Sequence, residues 1–457
     1  MLTCYSDSTA PSIPIHIVHP EDLEAWMAKK DKSIRFWIES MGFRAKMGGV
    51  CIIPKATGGI DTVLLGVADR LNALQVGILA TVLPAGHYSL AMEWEDEKLC
   101  LAAMAWGLAS YQFTRYKRAV PYPAKLIIPD QCDAAEISRN VETIYRVRDM
   151  INTPPQDMNT HHLAAVAHEL AERCGAEFNQ IEGVDLLTEN FPMIYAVGKG
   201  SDCEPHLLDL RWGKSSDPKV TLVGKGVCFD SGGLDLKTPA GMSTMKKDMA
   251  GAAHVLGLAQ MIIQAGIPIR LRVLIPVVEN SVSGKAYHPS DVLKSRKGLT
   301  VEVTNTDAEG RLILADALTE ASSENPALII DIATLTGAAR MALGSEIGAL
   351  FTDDETLASD ILKHAKKTQD PLWRLPIYAP YRLALESTVA DITNSAAIPI
   401  GGAINAALFL KEFVGDNIPW VHFDIMAWNS LNTPTGPIGA EVNGIRALYS
   451  YLKERFQ

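Results

Sequence analysis

Short apolar runs bounded by turn residues alternate with longer stretches whose apolar positions recur at helical spacing. In the first third of the chain "GVCIIP", "DTVLLGV" and "AKLIIP" predict strands, and residues 99–112 predict a helix. Proline and turn residues gather around "PYPAKLIIPDQCDAA", and the charged helical stretch 134–151 then ends at "NTPP". These signals divide the chain into a small N-terminal α/β domain (1–133), a connecting helix (134–151) and a larger domain (152–457).

In the larger domain the runs "KVTLVGKG", "RLRVLIPVV", "LTVEVTN", "ALIIDIATL" and "WVHFDIMAW" predict strands, separated by helical patterns at 249–265, 312–323 and 403–413. Strand and helix alternating in this way give an α/β fold with a mainly parallel sheet flanked by helices. Ligands in such sheets lie beyond the carboxyl ends of the strands, so polar residues that directly follow strands carry the most information. No internal repeat or low-complexity tract interrupts the pattern.

Composition narrows the possibilities. The chain has 457 residues, 47% of them hydrophobic, which suits packed domains rather than disorder. Forty-two basic against fifty-three acidic residues give a net charge of −11, which repels a polyanion and disfavours nucleic acid as a partner. The seven cysteines are scattered with no C-x-x-C pair, and are expected to be reduced thiols in a cytoplasmic protein. The start of the chain lacks the pattern of a secretory signal, and no apolar run is long enough for a membrane span, so neither export nor membrane insertion is expected.

The candidate chemistry sits where strands end. "NTDAEGRL" delivers Asp307, Glu309 and Arg311 after the strand-like "VEVTN", and "VGKGVCFDSGGLDLK" presents Lys225, Asp230 and Lys237. Asp248 opens the next helical stretch. Taken singly, Asp248 and Asp307 read as helix caps, and a lysine after a glycine reads as a solvated loop residue. Taken together, several carboxylates gathered in one place raise one another's pKa values unless cations lie among them. Oxygen-rich sites of this kind suit divalent ions, and a carboxylate-bridged pair of such ions is a recurrent arrangement for hydrolysis. Other motifs fail: "HHLAAVAHEL" misplaces the histidines of H-E-x-x-H, "VGKGV" lacks the spacing of a P-loop, and "FDSGG" is not the G-x-S-x-G elbow.

The octapeptide "NTDAEGRL", together with "VGKGVCFDSGGLDLK" and Asp248, resembles the leucyl aminopeptidases, two-metal exopeptidases of the cytosol. The resemblance covers about residues 140–445, and the N-terminal third agrees in layout only. It implies that Lys225, Asp230, Asp248, Asp307 and Glu309 ligate two divalent ions, zinc or manganese with magnesium or cobalt as alternatives. Lys237 would stabilise the oxyanion, and Arg311 would hold a bicarbonate acting as general base. Met245, Thr334 and Gly337 match positions lining the pocket for the first side chain, and Asn305 matches one near the substrate backbone. The implied reaction removes the N-terminal residue, Leu, Met or another apolar one, from short peptides, within a homohexamer. Met426 stands where the family commonly has a small residue, and "TPTGPIGAE" varies from the family's last loop.

Two alternatives come with this reading. Some members of the family also bind DNA as regulators, which would need a basic stripe on the N-terminal domain; short segments such as "RYKRAV" are more often solvated faces. Two-metal sites also hydrolyse esters and phosphoesters.

Overall fold

The computed structural model describes residues 2–6, 9–68, 72–397 and 400–457, and these form two compact units. The first unit runs to Tyr145 and includes Ser430–Ile438; the second comprises Arg146–Asn429 and Gly439–Gln457. The helix Ala134–Asn152 therefore belongs to both, with the division after Tyr145.

The first unit is built on a six-stranded sheet in the order Tyr5–Ser6, Ala124–Ile127, Gly86–Leu90, Ile13–Val18, Ile60–Gly66, Val50–Pro54. All neighbours are parallel except the last pair. The predicted helix is Asp96–Ala109, almost wholly buried after its acidic first turn. One expectation fails here: Cys100 on this helix is disulfide-bonded to Cys132, with Cα atoms 5.4 Å apart, so the seven cysteines are not all thiols. A separation of 32 residues gives no local spacing signal, which is why the pairing could not be read from the sequence.

The second unit carries a nine-stranded sheet. Its order is Leu372–Arg374, Gly348–Phe351, Trp420–Asp424, Leu328–Ala333, Lys219–Gly224, Arg270–Asn280, His206–Trp212, Glu177–Glu182, with Gly226–Asp230 also paired to Arg270–Asn280. The central strands are parallel and the flanking ones include antiparallel pairs. Leu328–Ala333 is buried at every position, as a central strand covered on both faces must be. The helices Ala250–Ala265 and Glu309–Ser323 are buried almost all round, and the latter packs Leu312, Ile313, Leu314 and Leu318 into the main core. No helix among the described residues is long and apolar enough to cross a membrane.

Two strand expectations change. The run "LTVEVTN" supplies only Thr300–Glu302, and it joins a separate three-stranded sheet with Val292–Lys294 and Ile392–Thr393. The edge strand Glu177–Glu182, "EFNQIE", is too polar to announce itself by apolar alternation.

Within this unit Arg148 and Glu441 form a buried ion pair at 2.7 Å, and Glu441 also accepts from Asn429 Nδ2 and the Val442 amide. Arg148→Met should leave the carboxylate buried without its counter-ion and cost about 3–5 kcal/mol. A urea titration followed by tryptophan fluorescence checks this, and an unchanged midpoint would contradict it.

Candidate active site

The parallel register brings three strand ends together. Ile332 pairs with Gly224 and Ala333 with Asp424, so Lys225, Thr334 and Ile425 all emerge at one edge. The Lys225 amide donates to Ile332 O and the Ile425 amide to Ala333 O. Asp230 ends the neighbouring strand Gly226–Asp230, opposite Asn280.

Lys225 is buried, and its Nζ lies 2.8 Å from both Asp248 Oδ2 and Glu309 Oε1 while donating to Thr334 O at 3.0 Å. Asp230, Asp248 and Glu309 each bring a carboxylate oxygen to within 4.8 Å of the others. Asp307 stands outside this tight group and more exposed, but it shares the ammonium of Lys237 with Asp230, whose Oδ2 is 2.8 Å from that nitrogen. Arg311 is buried one turn along the helix, where Nη1 donates to Asn394 O at 2.7 Å. Its Nε has no partner, and the guanidinium forms no ion pair among the described residues.

Neither Asp248 nor Asp307 is a helix cap. The residues at the N-cap positions are Met249 and Ala308, and neither terminus receives a side-chain capping bond. The bland explanation of these acids is thereby removed, and their charge has to be met inside the cluster.

Burial and Asp230 push Asp307 up to about 6, despite Lys237. Burial and Asp230 likewise push Glu309 up to about 8, against the pull of Lys225. Burial opposes the Lys225 ammonium, yet Asp248, Glu309 and Asp230 outweigh it and hold this lysine above its ordinary value. Burial brings Arg311 down to about 10. Asp307 and Glu309 are thus held toward their protonated forms when only Lys225 and Lys237 face them, so the cluster favours uptake of protons or of further cations.

The residues present fit divalent ions. Glu309 Oε2 is buried with no hydrogen-bond partner, and Asp248 Oδ2 touches the Lys225 ammonium without hydrogen-bond geometry. A buried acceptor left open in a ring of oxygen donors is what a hard or borderline cation requires. Lysine can join such a ligand set only when deprotonated, which a dication in contact with it would enforce.

The surrounding residues fix this geometry. Asn280 Nδ2 bonds both Asp230 Oδ1 and Thr306 O, while Tyr287 Oη donates to the same Thr306 carbonyl. Thr306 and Asp235 exchange bonds, at 2.7 Å from the Thr306 amide and 2.8 Å from the Asp235 amide, clasping the two motif loops together. Gly232 and Gly233 have φ of 90° and 66°, and a Cβ at Gly233 would meet Asn280 Oδ1 at 2.9 Å, so glycine is needed twice in this turn. None of Asn280, Tyr287, Thr306, Asp235 or Asn394 was singled out from sequence. Asn280 alone had a usable signal, as the last residue of a strand.

The expected substrate-contacting residues fall in different places. Met245 is buried in the short helix Met245–Met249 that carries Asp248. The Thr334 hydroxyl is spent on Asp248 Oδ1 at 2.7 Å, and Asn305 Oδ1 receives the Asp307 backbone amide at 2.8 Å, so the first side chain holds a site carboxylate and the second the main chain that carries one. Gly337 begins the helix Gly337–Leu343, where a Cβ would meet Arg340 Nη2 at 3.9 Å, and Met426 is half-buried just beyond Asp424. Asp424 in turn accepts the amides of Leu335 and Thr336, tying the last strand to the "ATLTG" loop.

Gly310 shows how little freedom the cluster has. A Cβ there would lie 2.5 Å from Lys225 Cε and 2.8 Å from its Nζ. Gly310→Ala should displace the amine and weaken divalent-metal retention by about 10–100-fold, the range for disturbing the support of a ligand. Equilibrium dialysis with metal analysis reads this directly; wild-type retention would show that Lys225 is not needed where it stands.

Comparison with known proteins comes to the same place. Residues 145–449 match the family model described as the cytosol aminopeptidase family, catalytic domain, and residues 13–129 match the M17 aminopeptidase N-terminal domain. A probable cytosol aminopeptidase of Synechococcus sp. (strain CC9311) is 35% identical, over 92% of this chain and 90% of its own. The crystal structure of a cytosol aminopeptidase from Coxiella burnetii is similar at 48% identity with a TM-score of 0.96, covering all of both chains. The bottromycin maturation enzyme BotP in complex with Mn is similar at 33% identity with a TM-score of 0.86, covering 98% of this chain and all of that one.

Proposed function

The chain belongs to the cytosol aminopeptidase family, a family of metal-dependent aminopeptidases, and on that premise we propose that it releases apolar N-terminal residues from short peptides at a two-ion centre. The observation that carries the reading is the convergence of Lys225, Asp230, Asp248 and Glu309, with Asp307 joined through Lys237, around an open buried acceptor.

Lys225, Asp230, Asp248, Asp307 and Glu309 would hold the ions; manganese is supported by the manganese-bound neighbour, and zinc suits the same donors. Bound there, divalent ions supply Lewis acidity and a water acidic enough to attack a carbonyl at neutral pH. The protein's own part is orientation and charge. Lys237, released from the carboxylates it now pairs with, can donate from its ammonium to the oxygen on which negative charge develops. Arg311, charged, buried and without an anionic partner among the described residues, is suited to hold a small anion such as bicarbonate as the proton acceptor. The cluster's own carboxylates are committed to cations, which leaves that role to a bound anion.

Arg311→Ala should therefore lower kcat by about 10²–10⁴-fold, the range for losing a general base, with metal content unchanged. Loss of bicarbonate dependence in the variant would accompany it; a variant still stimulated by bicarbonate would remove the assignment.

Specificity rests on Met245, the "ATLTG" loop with Thr334 and Gly337, and Met426 beside it, an apolar wall suited to Leu or Met; Asn305 stands by the substrate backbone. Rates on a panel of aminoacyl anilides test this, and faster release of Glu or Lys than of Leu would contradict it. A homohexamer, as the resemblance implies, would restrict entry to short peptides; light scattering decides it. A net charge of −11 gives the DNA-binding alternative no support.

A further inference from the structure

A second group of metal-ligand residues lies away from this cluster. His161, in the first turn of the helix Thr160–Cys174, Glu182, at the end of the edge strand Glu177–Glu182, and His206, at the start of His206–Trp212, bring one donor atom each to within 4.8 Å of the others. His161 Nδ1 is 3.7 Å from Glu182 Oε1, and His206 Nδ1 is 4.0 Å from Glu182 Oε2. Donors around one tetrahedral zinc ion stand about 3.4 Å apart, as follows from metal–ligand bonds near 2.1 Å. Small rotations of His161 and Glu182, both about half exposed, close that difference.

We infer that His161, Glu182 and His206 form a binding site for a borderline divalent ion such as zinc, separate from the carboxylate cluster. The donor set, two imidazoles and a carboxylate with a position left for water, is one that zinc accepts and that magnesium and calcium do not favour.

Three observations support it. Gln180 Nε2 donates to Glu182 Oε2 at 3.2 Å and contacts His206 Nδ1 at 3.0 Å. The carboxylate fixes the amide nitrogen toward Glu182 and His206, so His206 Nδ1 is the acceptor nitrogen of a neutral ring whose proton sits on Nε2. The two N–H groups of this amide reach both acceptors, and a cation between Glu182 and His206 would take the amide's place as the partner of both. His206 is also fully buried while its Nε2 has no partner among the described residues, so the Gln180 amide is the hydrogen-bond contact that holds the ring with Nδ1 toward Glu182. Burial pushes its pKa down to about 4, which keeps the imidazole neutral and able to ligate. A cleft lined by His161, Ala164, Ala165, His168, Phe178 and Gln180 reaches one of the three donors, His161, and the Gln180 that contacts the other two.

The consequence is mechanical. Glu177–Glu182 is the outermost strand of its sheet, paired only with His206–Trp212, and a bound ion would tie it to that neighbour and to the helix Thr160–Cys174. An ion bound to the folded state alone raises its stability by mass action.

The test is zinc counted per chain by mass spectrometry after equilibrium dialysis of the full-length protein against buffered Zn²⁺. Wild type is compared with Glu182→Gln and with His161→Ala, both at exposed positions. The expected result is one zinc fewer per chain in each variant, a smaller zinc-induced rise in Tm, and unchanged aminopeptidase turnover. Equal zinc content in all three proteins would overturn the site. Loss of turnover together with the zinc would overturn its separation from the active centre. Neither outcome depends on how many ions the carboxylate cluster holds.

Discussion

Glu309→Ala should lower kcat/KM by more than the 10–100-fold typical of disturbing a ligand's support, because it removes the ligand itself. Glu309 Oε2 is buried with neither a hydrogen-bond nor an ion-pair partner among the described residues, whereas Asp248 Oδ2 and Asp307 Oδ1 at least touch an ammonium; Glu309 Oε1 also faces the Lys225 amine at 2.8 Å. Its loss takes away a donor and the charge that offsets a dication. The metal-free variant should stay folded, since Lys225 keeps Asp248 at 2.8 Å and the helix Glu309–Ser323 is anchored by Leu312, Ile313 and Leu314. Metal content after dialysis falls with activity if Glu309 is a ligand. Full metal content with lost activity would move it to another role.

Lys237→Ala should lower kcat by about 10²–10³-fold with little change in KM, the signature of an interaction made only as charge develops. Lys237 is the cation of the cluster nearest to solvent, with its side chain 15% exposed, whereas Lys225 is enclosed at 3%. Their environments separate their tasks: the enclosed amine can be held among carboxylates, and the accessible ammonium can reach a substrate oxygen. Burial opposes the Lys237 charge, but Asp230 and Asp307 outweigh it and hold it well above the usual lysine value, so it stays protonated across the neutral range. Steady-state kinetics with the variant decide the matter. A raised KM at unchanged kcat would make Lys237 a ground-state binding residue instead.

The sequence revealed the cluster because Lys225 and Asp230 follow strands of the main sheet and Asp307 and Glu309 lie between a strand-like run and an apolar helical one. "KVTLVG" is a largely apolar run, so Lys225 stands out as the first polar residue beyond it, whereas Thr334 was reached through the family resemblance alone. Arg311 was visible for a related reason: a guanidinium at the start of an apolar helical run needs an explanation. What stayed hidden depends on residues meeting across long separations. The Thr306–Asp235 clasp and the Asn394 contacts to Arg311 and Asn305 join loops that only the folded chain brings together, and no periodicity marks an asparagine as a brace.

The assignment of "VEVTN" to a small sheet of its own has the same cause. Three residues of alternation specify a strand but not its partner, and the partner here, Ile392–Thr393, lies far along the chain. Thr334 and Asn305 show a subtler limit. The family resemblance directs attention to the substrate, while the structure commits the Thr334 hydroxyl to Asp248 and the Asn305 carbonyl to the Asp307 amide. Substitution at either position should therefore disturb the carboxylates before it alters any pocket.

The most direct test of the account is the rate of leucyl-anilide cleavage by chelator-treated protein as Mn²⁺ or Zn²⁺ is added back, measured with the free amine and with its N-acetyl form. The account predicts no activity without metal, restoration that saturates near two ions at the carboxylate cluster, and no cleavage of the acetylated substrate. Cleavage that survives complete metal removal, or that proceeds equally well on the acetylated substrate, would contradict it.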